Sequence, residues 1–276
     1  MSDPTSIQPN ADTGSGADRG QVAASAAEIY EAFFLPALFD QWVGPVLDAA
    51  GVMEGDQLLD IGCGTGAVAR EALTRVGADG RVVGLDPNDG MLAVARRTRG
   101  VEWRTGAAED LPFEDLTFDV AVSQFAMMFF TDREQAVREM NRVLQPKGRV
   151  VIATWASLSD TPGYAAVVDL LDRLLGRDAC DALRAPYNMG DKGELGDLLT
   201  TEFSNVRVTQ VEGTARFDSI EDWVHTDIRG WTLSDMSDED YNRLLAAAKT
   251  ELTQFTAQSG KVSFPAPALI AVGGGH

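Results

Sequence analysis

Residues 58–66, Leu-Leu-Asp-Ile-Gly-Cys-Gly-Thr-Gly, constrain this chain more than any other stretch. Short apolar residues of strand type run into a turn with glycines at 62, 64 and 66, and a helical pattern follows. A strand that feeds a glycine-rich turn and then a helix opens a parallel α/β unit. Glycine lets the backbone approach a ligand closely, and free amides at the helix start favour an anion. Gly62, Gly64 and Ala67 satisfy the loose G-x-G-x-x-G/A dinucleotide fingerprint, and Asp86 lies about where a ribose-binding acid would sit. Asp60 decides between readings. A carboxylate so close to the glycines repels a pyrophosphate and attracts an ammonium. The loop therefore suits a ligand with a cationic amine and a nucleoside but no diphosphate.

The rest of the chain continues the alternation. From Val22 to Ala50, apolar residues including Ile29, Phe33, Phe34, Leu38, Trp42 and Val46 recur at helical spacing, with Pro36 and Pro45 expected to break the run. After the strand at Leu58–Ile61 the pattern predicts a helix over 66–76, a strand over 81–85 and a helix over 88–97. Further strands are expected at 101–104, 118–123 and 148–154, with Thr131 and Glu134 as a capping box opening the helix before the last. Strands that are apolar throughout, separated by helices, mean an α/β fold with a parallel sheet covered on both faces. Beyond Trp155 the rhythm changes. Val167 to Leu175 marks a helix, 206–211 alternates like a strand, Ser219 with Asp222 and Ser237 with Asp240 look like helix starts, and 265–272 reads as a last strand. Residues 1–20 are too polar to bury and read as a disordered tail.

Composition excludes several function classes. Lys and Arg total 23 against 42 Asp and Glu, a net charge of -19 in 276 residues. Phosphate recognition needs a basic surplus, so nucleic acid is not the expected partner, nor is an anionic membrane surface. Aspartate supplies 27 of the acids and lysine only four of the bases, a balance that suits a salt-adapted, halophile proteome as well as an acidic but ordinary enzyme. Two cysteines, Cys63 and Cys180, build no disulfide framework, and His225 is the sole internal histidine, so no metal site is expected. The longest nearly apolar stretch, 118–130, is too short to span a membrane, and the opening residues lack a leader's apolar core. The expected compartment is the cytoplasm; the oligomeric state cannot be read.

S-adenosylmethionine is a ligand of the kind the glycine loop demands. Asp60 to Gly66 carries D-x-G-x-G-x-G intact, and here the sequence resembles the class I S-adenosylmethionine-dependent methyltransferases. Residues 82–95 look like the family's second-strand block, 106–113 followed by Phe118-Asp119 like its adenine-contacting block, and 138–152 like its helix and fifth strand. The resemblance covers about residues 25–155 and is closest to the small-molecule branch that includes quinone-biosynthesis C-methyltransferases. It implies a Rossmann-like, doubly wound, mostly parallel seven-stranded sheet with helices on both faces and a helical substrate lid in the C-terminal half. The expected organisation is one methyltransferase domain over 21–276: a cofactor core at 21–155, a variable lid around one sheet strand at 156–264, and a last strand and tail at 265–276.

The resemblance also implies roles. Asp60 holds the cofactor's amine, Gly62, Cys63, Gly64 and Gly66 offer backbone contacts, and Asp86, before Pro87, holds the ribose hydroxyls. Met91 reads either as packing on the adenine or as a core methionine. Many relatives carry an adenine-binding acid where this chain has Ala107; here Glu109 or Asp110, or backbone groups around Ala108, is expected to substitute. Gln124 and Ser123, at the end of the fourth strand, and Tyr30, in the preceding helix, complete the candidates. Residues 125–130 read either as core or as an apolar pocket floor. His225 is the one candidate general base, its competing reading a packed or surface residue. The implied reaction is in-line methyl transfer to a small, partly apolar or aromatic acceptor, which needs no triad or metal. A nicotinamide oxidoreductase, an RNA or protein methyltransferase and a catalytically silent binding protein are the alternatives.

Overall fold

A computed structural model describes residues 24–274. The expected disordered tail and His276 lie outside them. The N-terminal segment forms α1 (Ala24–Ile29), a π-helix (Tyr30–Phe39), a 3-10 turn (Asp40–Trp42) and α2 (Val43–Ala50). Pro36 and Pro45 do not break this run where expected. Pro36 sits inside the wide turns of the π-helix, and Pro45 lies in the first turn of α2, where no N–H is needed by the helix. The interruption falls at Asp40–Trp42 instead.

The main sheet begins with β1 (Gln57–Ile61), α3 (Ala67–Val76), β2 (Arg81–Asp86), α4 (Asp89–Ala95), β3 (Glu102–Thr105) and β4 (Phe118–Gln124). Then come α5 (Arg133–Val143) and β5 (Leu144–Trp155). The capping box is corrected: Asp132 caps α5, its carboxylate accepting from the Gln135 N–H at 2.9 Å. The Thr131 N–H goes elsewhere, to Glu109.

The C-terminal part supplies α6 (Pro162–Leu175), α7 (Arg177–Arg184), α8 (Lys192–Thr200), β6 (Ser204–Val211) and β7 (Thr214–Phe217). It continues with α9 (Ile220–Trp223), a second π-helix (Val224–Thr232), α10 (Asp238–Glu251), β8 (Val262–Pro265) and β9 (Ala268–Gly274). Ser219 and Ser237 cap α9 and α10, as their spacing to the acids predicts. The apolar stretch at 265–272 is not one strand. β8 pairs with β7 in a separate two-stranded ribbon, and β9 joins the main sheet. Pro267 lacks the N–H that a central strand needs, and around it Ala266 N donates to Gly213 O and Ala156 N to Pro267 O.

Seven strands order as β3-β2-β1-β4-β5-β9-β6. β1 to β5 run parallel, and β9 is antiparallel to both its neighbours. β1 and β4 lie side by side, Leu58 opposite Val120, although the chain passes through β2 and β3 between them. That reversal of strand order opens a crevice beyond the carboxyl ends of β1 and β4. Leu58, Leu59, Val83, Leu85, Ala121 and Val151 are fully buried, which is why these strands read as unbroken apolar runs. Trp42, expected in the core, is 1% exposed.

Candidate active site

The glycine turn is shaped by packing as well as by chain reversal. Gly62 has φ +70°, and a β-carbon there would stand 2.3 Å from that of Ala126, which follows β4. Gly64 has φ +54° and faces open space on the wall of a cavity of about 570 Å³. This volume is in the range of small-molecule sites. Gly66 does not line the cavity. It caps α3, and its α-carbon lies against the Trp103 ring.

Two carboxylates frame the turn. Asp60, in β1, is 1% exposed, and one of its oxygens accepts from the Ala69 N–H of α3 at 3.1 Å. Burial pushes its carboxyl up to about 7, with the nearby Asp86 adding to the rise. Asp86, at the end of β2, is also buried and also shifted upward by burial. Its two oxygens accept from Gly64 N and Asn88 N, each at 2.8 Å, so it ties the glycine turn to the start of α4. Each oxygen keeps a lone pair for another donor. Asn88 then caps α4 by accepting from Met91 N at 3.0 Å.

Tyr30, Asp60, Gly62, Cys63, Gly64, Asp86, Met91 and Gln124 all line this cavity. The Cys63 thiol is pushed well up by burial, which leaves it without thiolate character. Met91 packs with Ala27, Val94, Tyr30 and Trp231. Tyr30 stacks on Phe39 with ring centres 5.3 Å apart and meets Trp231 at 5.9 Å, so the two π-helices touch beside the cavity. Gln124 donates to Phe39 O at 3.4 Å, while its carbonyl oxygen is buried with no protein partner. The Thr65 hydroxyl, on the cavity wall, is likewise buried and unpartnered. Orphaned polar atoms facing one cavity call for a ligand's polar groups.

Other expected site residues stand elsewhere. Pro87 is exposed and Ala108 is in the core. Glu109 turns away: its carboxylate accepts from Thr131 N at 2.7 Å and Asp132 N at 3.2 Å, pinning the approach to α5. Asp110 is exposed, and Ser123 is fully buried outside the cavity lining. His225 is exposed and packs on the Tyr241 ring at 5.7 Å. The stretch 125–130 divides between its two readings: Phe125, Ala126 and Phe129 line the cavity, and Met127 and Met128 belong to the core. Phe125 holds φ +55°, a strained conformation for a bulky residue, and stacks on Trp155 at 4.1 Å.

Residues that sequence reasoning missed, apart from Trp231 among the aromatics of 156–264, close the other side. Ala182, Ala185, Pro186, Trp231, Thr232 and Asp235 line it from α7, the following 3-10 turn and the second π-helix with its C-terminal loop. No motif marks them, because they come from different elements that only packing assembles. Thr65 had a signal, since it lies inside the glycine motif.

The lining carries Asp60, Asp86 and Asp235 and, among the described residues, no Lys, Arg or His. Such a cavity repels phosphates and attracts cations. S-adenosylmethionine fits it. The cavity's negative lining suits a ligand that carries an ammonium and a sulfonium.

Residues 59–152, from β1 to β5, match the methyltransferase domain family. Together with the strand order, this makes the β1–β5 segment similar to the class I S-adenosylmethionine-dependent methyltransferases. Over 118 residues it is 45% identical to the ubiquinone/menaquinone biosynthesis C-methyltransferase UbiE of Idiomarina loihiensis, covering 40% of this chain and 47% of that protein. It is 37% identical over 120 residues to a chloroplastic 2-phytyl-1,4-beta-naphthoquinone methyltransferase of Arabidopsis thaliana, covering 40% and 46% respectively. The chain spans about half the length of these curated relatives. Among solved structures, a putative methyltransferase from an antibiotic biosynthesis pathway of Anabaena variabilis superposes with a TM-score of 0.62 at 16% identity, over 83% of this chain and 96% of that one. The phosphoethanolamine N-methyltransferase 2 of Haemonchus contortus, in complex with S-adenosyl-L-methionine, gives 0.60 at 20% identity, over 94% and 59%. At these identities the structures speak to the fold alone. Among the described residues, no helix is long and apolar enough to cross a membrane.

Proposed function

We propose that this protein transfers a methyl group from S-adenosylmethionine to a small, partly apolar or aromatic acceptor. The observation that carries the reading is the pair of buried carboxylates, Asp60 and Asp86, on a cavity lined by no cation among the described residues. In this reading residues 21–155 hold the donor. Residues 156–264 supply the acceptor side through Ala182, Pro186, Trp231 and Thr232, and act as the lid.

S-adenosylmethionine supplies an already activated methyl, so the protein's work is alignment and exclusion of water. Alignment alone is worth about 7–11 kcal/mol. Asp60 anchors the amino-acid end and Asp86 the ribose, which fixes the donor at two points. Tyr30 and Trp231 wall the cavity from opposite ends of the chain, and Phe125, Ala126 and Phe129 form its floor. The acceptor-side walls are largely aromatic and aliphatic, and relatives at moderate identity bear names of quinone C-methyltransferases, which supports a flat, partly apolar acceptor.

Calorimetric titration with S-adenosylhomocysteine, with NADH as control, tests the donor half. Micromolar binding of S-adenosylhomocysteine to the native chain, lost in Asp60→Ala, is expected. No binding at low or high salt would overturn the assignment, and binding of NADH instead would mean that Asp60 tolerates a diphosphate.

A further inference from the structure

Behind the acceptor side of the cavity lies a buried carboxylate that the donor site does not use. Asp227, in the second π-helix, is 4% exposed. One oxygen accepts from the Tyr164 hydroxyl of α6 in a short hydrogen bond and from the Trp223 indole N–H at 3.2 Å. The other accepts from the Thr232 hydroxyl at 3.5 Å. Thr232 stands on the cavity wall, so Asp227 reaches the cavity through one hydroxyl. A threonine that gives its proton to a carboxylate keeps its oxygen lone pairs for other partners.

Among the described residues, no cation compensates Asp227. Tyr164 and Tyr187 are the titratable groups facing it from α6 and the 3-10 turn Ala185–Tyr187. On its own helix, Arg229 pairs with Asp238 of α10 and lies over the Tyr241 ring, and His225 packs on that same ring. α7 brings Ala182 to the cavity. Burial raises the Asp227 carboxyl to about 6, against three donors that favour its ionised form. It is therefore charged near neutral pH yet able to take a proton there.

Resting on the proposed methyl transfer, we infer that Thr232 receives the acceptor's proton and Asp227 stores it, so that the acceptor is an uncharged molecule with a phenolic or enolic O–H. The balance is complete. A lone pair of the acceptor forms the new bond to the methyl carbon, the carbon–sulfur bond breaks, and its electron pair stays on sulfur. The acceptor proton passes to the Thr232 oxygen as Thr232 passes its own to Asp227. Sulfonium and carboxylate become thioether and carboxylic acid, so one positive and one negative charge vanish inside the cavity. The lining agrees: Asp235 beside Thr232 disfavours an anionic acceptor, while Trp231, Tyr30 and Phe129 suit an aromatic ring. Thr232 is the catalytic residue here and Asp227 a positioning residue that acts through it.

The test uses 2-naphthol and its methyl ether as probes, titrated into the full chain with and without saturating S-adenosylhomocysteine from pH 5 to 8. A phenol stays protonated across this range, since its pKa is near ~10. Naphthol is expected to bind about tenfold more tightly than its ether, the worth of one hydrogen bond to a positioned acceptor. Thr232→Val erases this preference and Thr232→Ser restores it. In the native chain the preference weakens as pH falls through the range where Asp227 gains its proton. In Asp227→Asn, which keeps an acceptor oxygen but does not titrate, it is flat. A merely structural Asp227 would move none of these. Equal binding of naphthol and ether, an unchanged preference in Thr232→Val, a pH response that survives in Asp227→Asn, or no naphthol binding at all would each overturn the inference. Failure of S-adenosylhomocysteine to bind would strike the donor assignment instead, and the arm without it reads the naphthol preference separately.

Discussion

The upward shift of Asp60 makes the ligand-free protein lose stability as pH rises, and the size of that loss can be worked out. Its carboxyl moves from the ordinary 3.8 to about 7 on folding. Between those values the folded state holds a proton that the unfolded chain has released, so stability falls with rising pH through this window. Below about 3.8 the contribution is fully present, and above about 7 it is lost. From pH 5 to 8 the linkage integral gives about 2.5 kcal/mol for this one group. At full burial, no solvent screening discounts it. Asp227 acts in the same direction, so the useful quantity is the difference between native chain and Asp60→Asn. Asparagine still accepts from Ala69 N but carries no charge to bury. Urea unfolding of ligand-free protein at pH 5 and pH 8 is expected to show about 2.5 kcal/mol more loss in the native chain, or about 4 °C in melting temperature. A bound ammonium reverses the penalty. Since only ionised Asp60 pairs with it, S-adenosylhomocysteine should bind about a hundredfold more weakly at pH 5 than at pH 8. Equal pH slopes for native chain and Asp60→Asn would refute the reasoning, because Asp60 would then be ionised despite its burial.

Gly62→Ala places a β-carbon 2.3 Å from Ala126 at φ +70° and should cost about 2–4 kcal/mol in urea unfolding. Glu109→Gln, whose carboxylate takes two backbone N–H groups ahead of α5, should cost about 1 kcal/mol of stability and leave the S-adenosylhomocysteine affinity unchanged, as calorimetry would show. With a net charge of -19, the melting temperature should rise substantially between low and molar KCl; a flat calorimetric scan would remove the reading of salt adaptation.

The glycine turn and the two acids on the cavity wall were legible because chain geometry and an open wall demand the same residues. At Gly62 and Gly64, chain reversal, tight packing and an open wall all select glycine, and the acids Asp60 and Asp86 sit at strand ends that the apolar runs mark. Where a residue's task depends on tertiary partners, the pattern misled. Glu109 looked like an adenine-binding acid, but its carboxylate accepts from backbone amides ahead of α5, 22 and 23 residues on. His225 attracted attention because an unperturbed imidazole titrates near neutrality. Asp227 is brought to that range by burial, against the hydrogen bond from Tyr164, 63 residues away in sequence. Pro267 was readable as a strand breaker, yet only the pairing of β8 with β7 shows where the two strands part company.

The place of β9 in the sheet has a consequence for synthesis on the ribosome. β9 lies between β5 and β6 and supplies both of their ladders on that side, with Ala268, Leu269 and Ala271 fully buried. A nascent chain that has emerged only as far as β6 therefore has its five parallel strands already able to assemble, and a raw, apolar margin along β5 with nothing to cover it. β6 itself has no place to dock. Until residue 274 leaves the exit tunnel the sheet ends at an uncovered β5, so growing chains at this stage are clients for chaperones, and premature termination upstream of β9 yields a product prone to self-association.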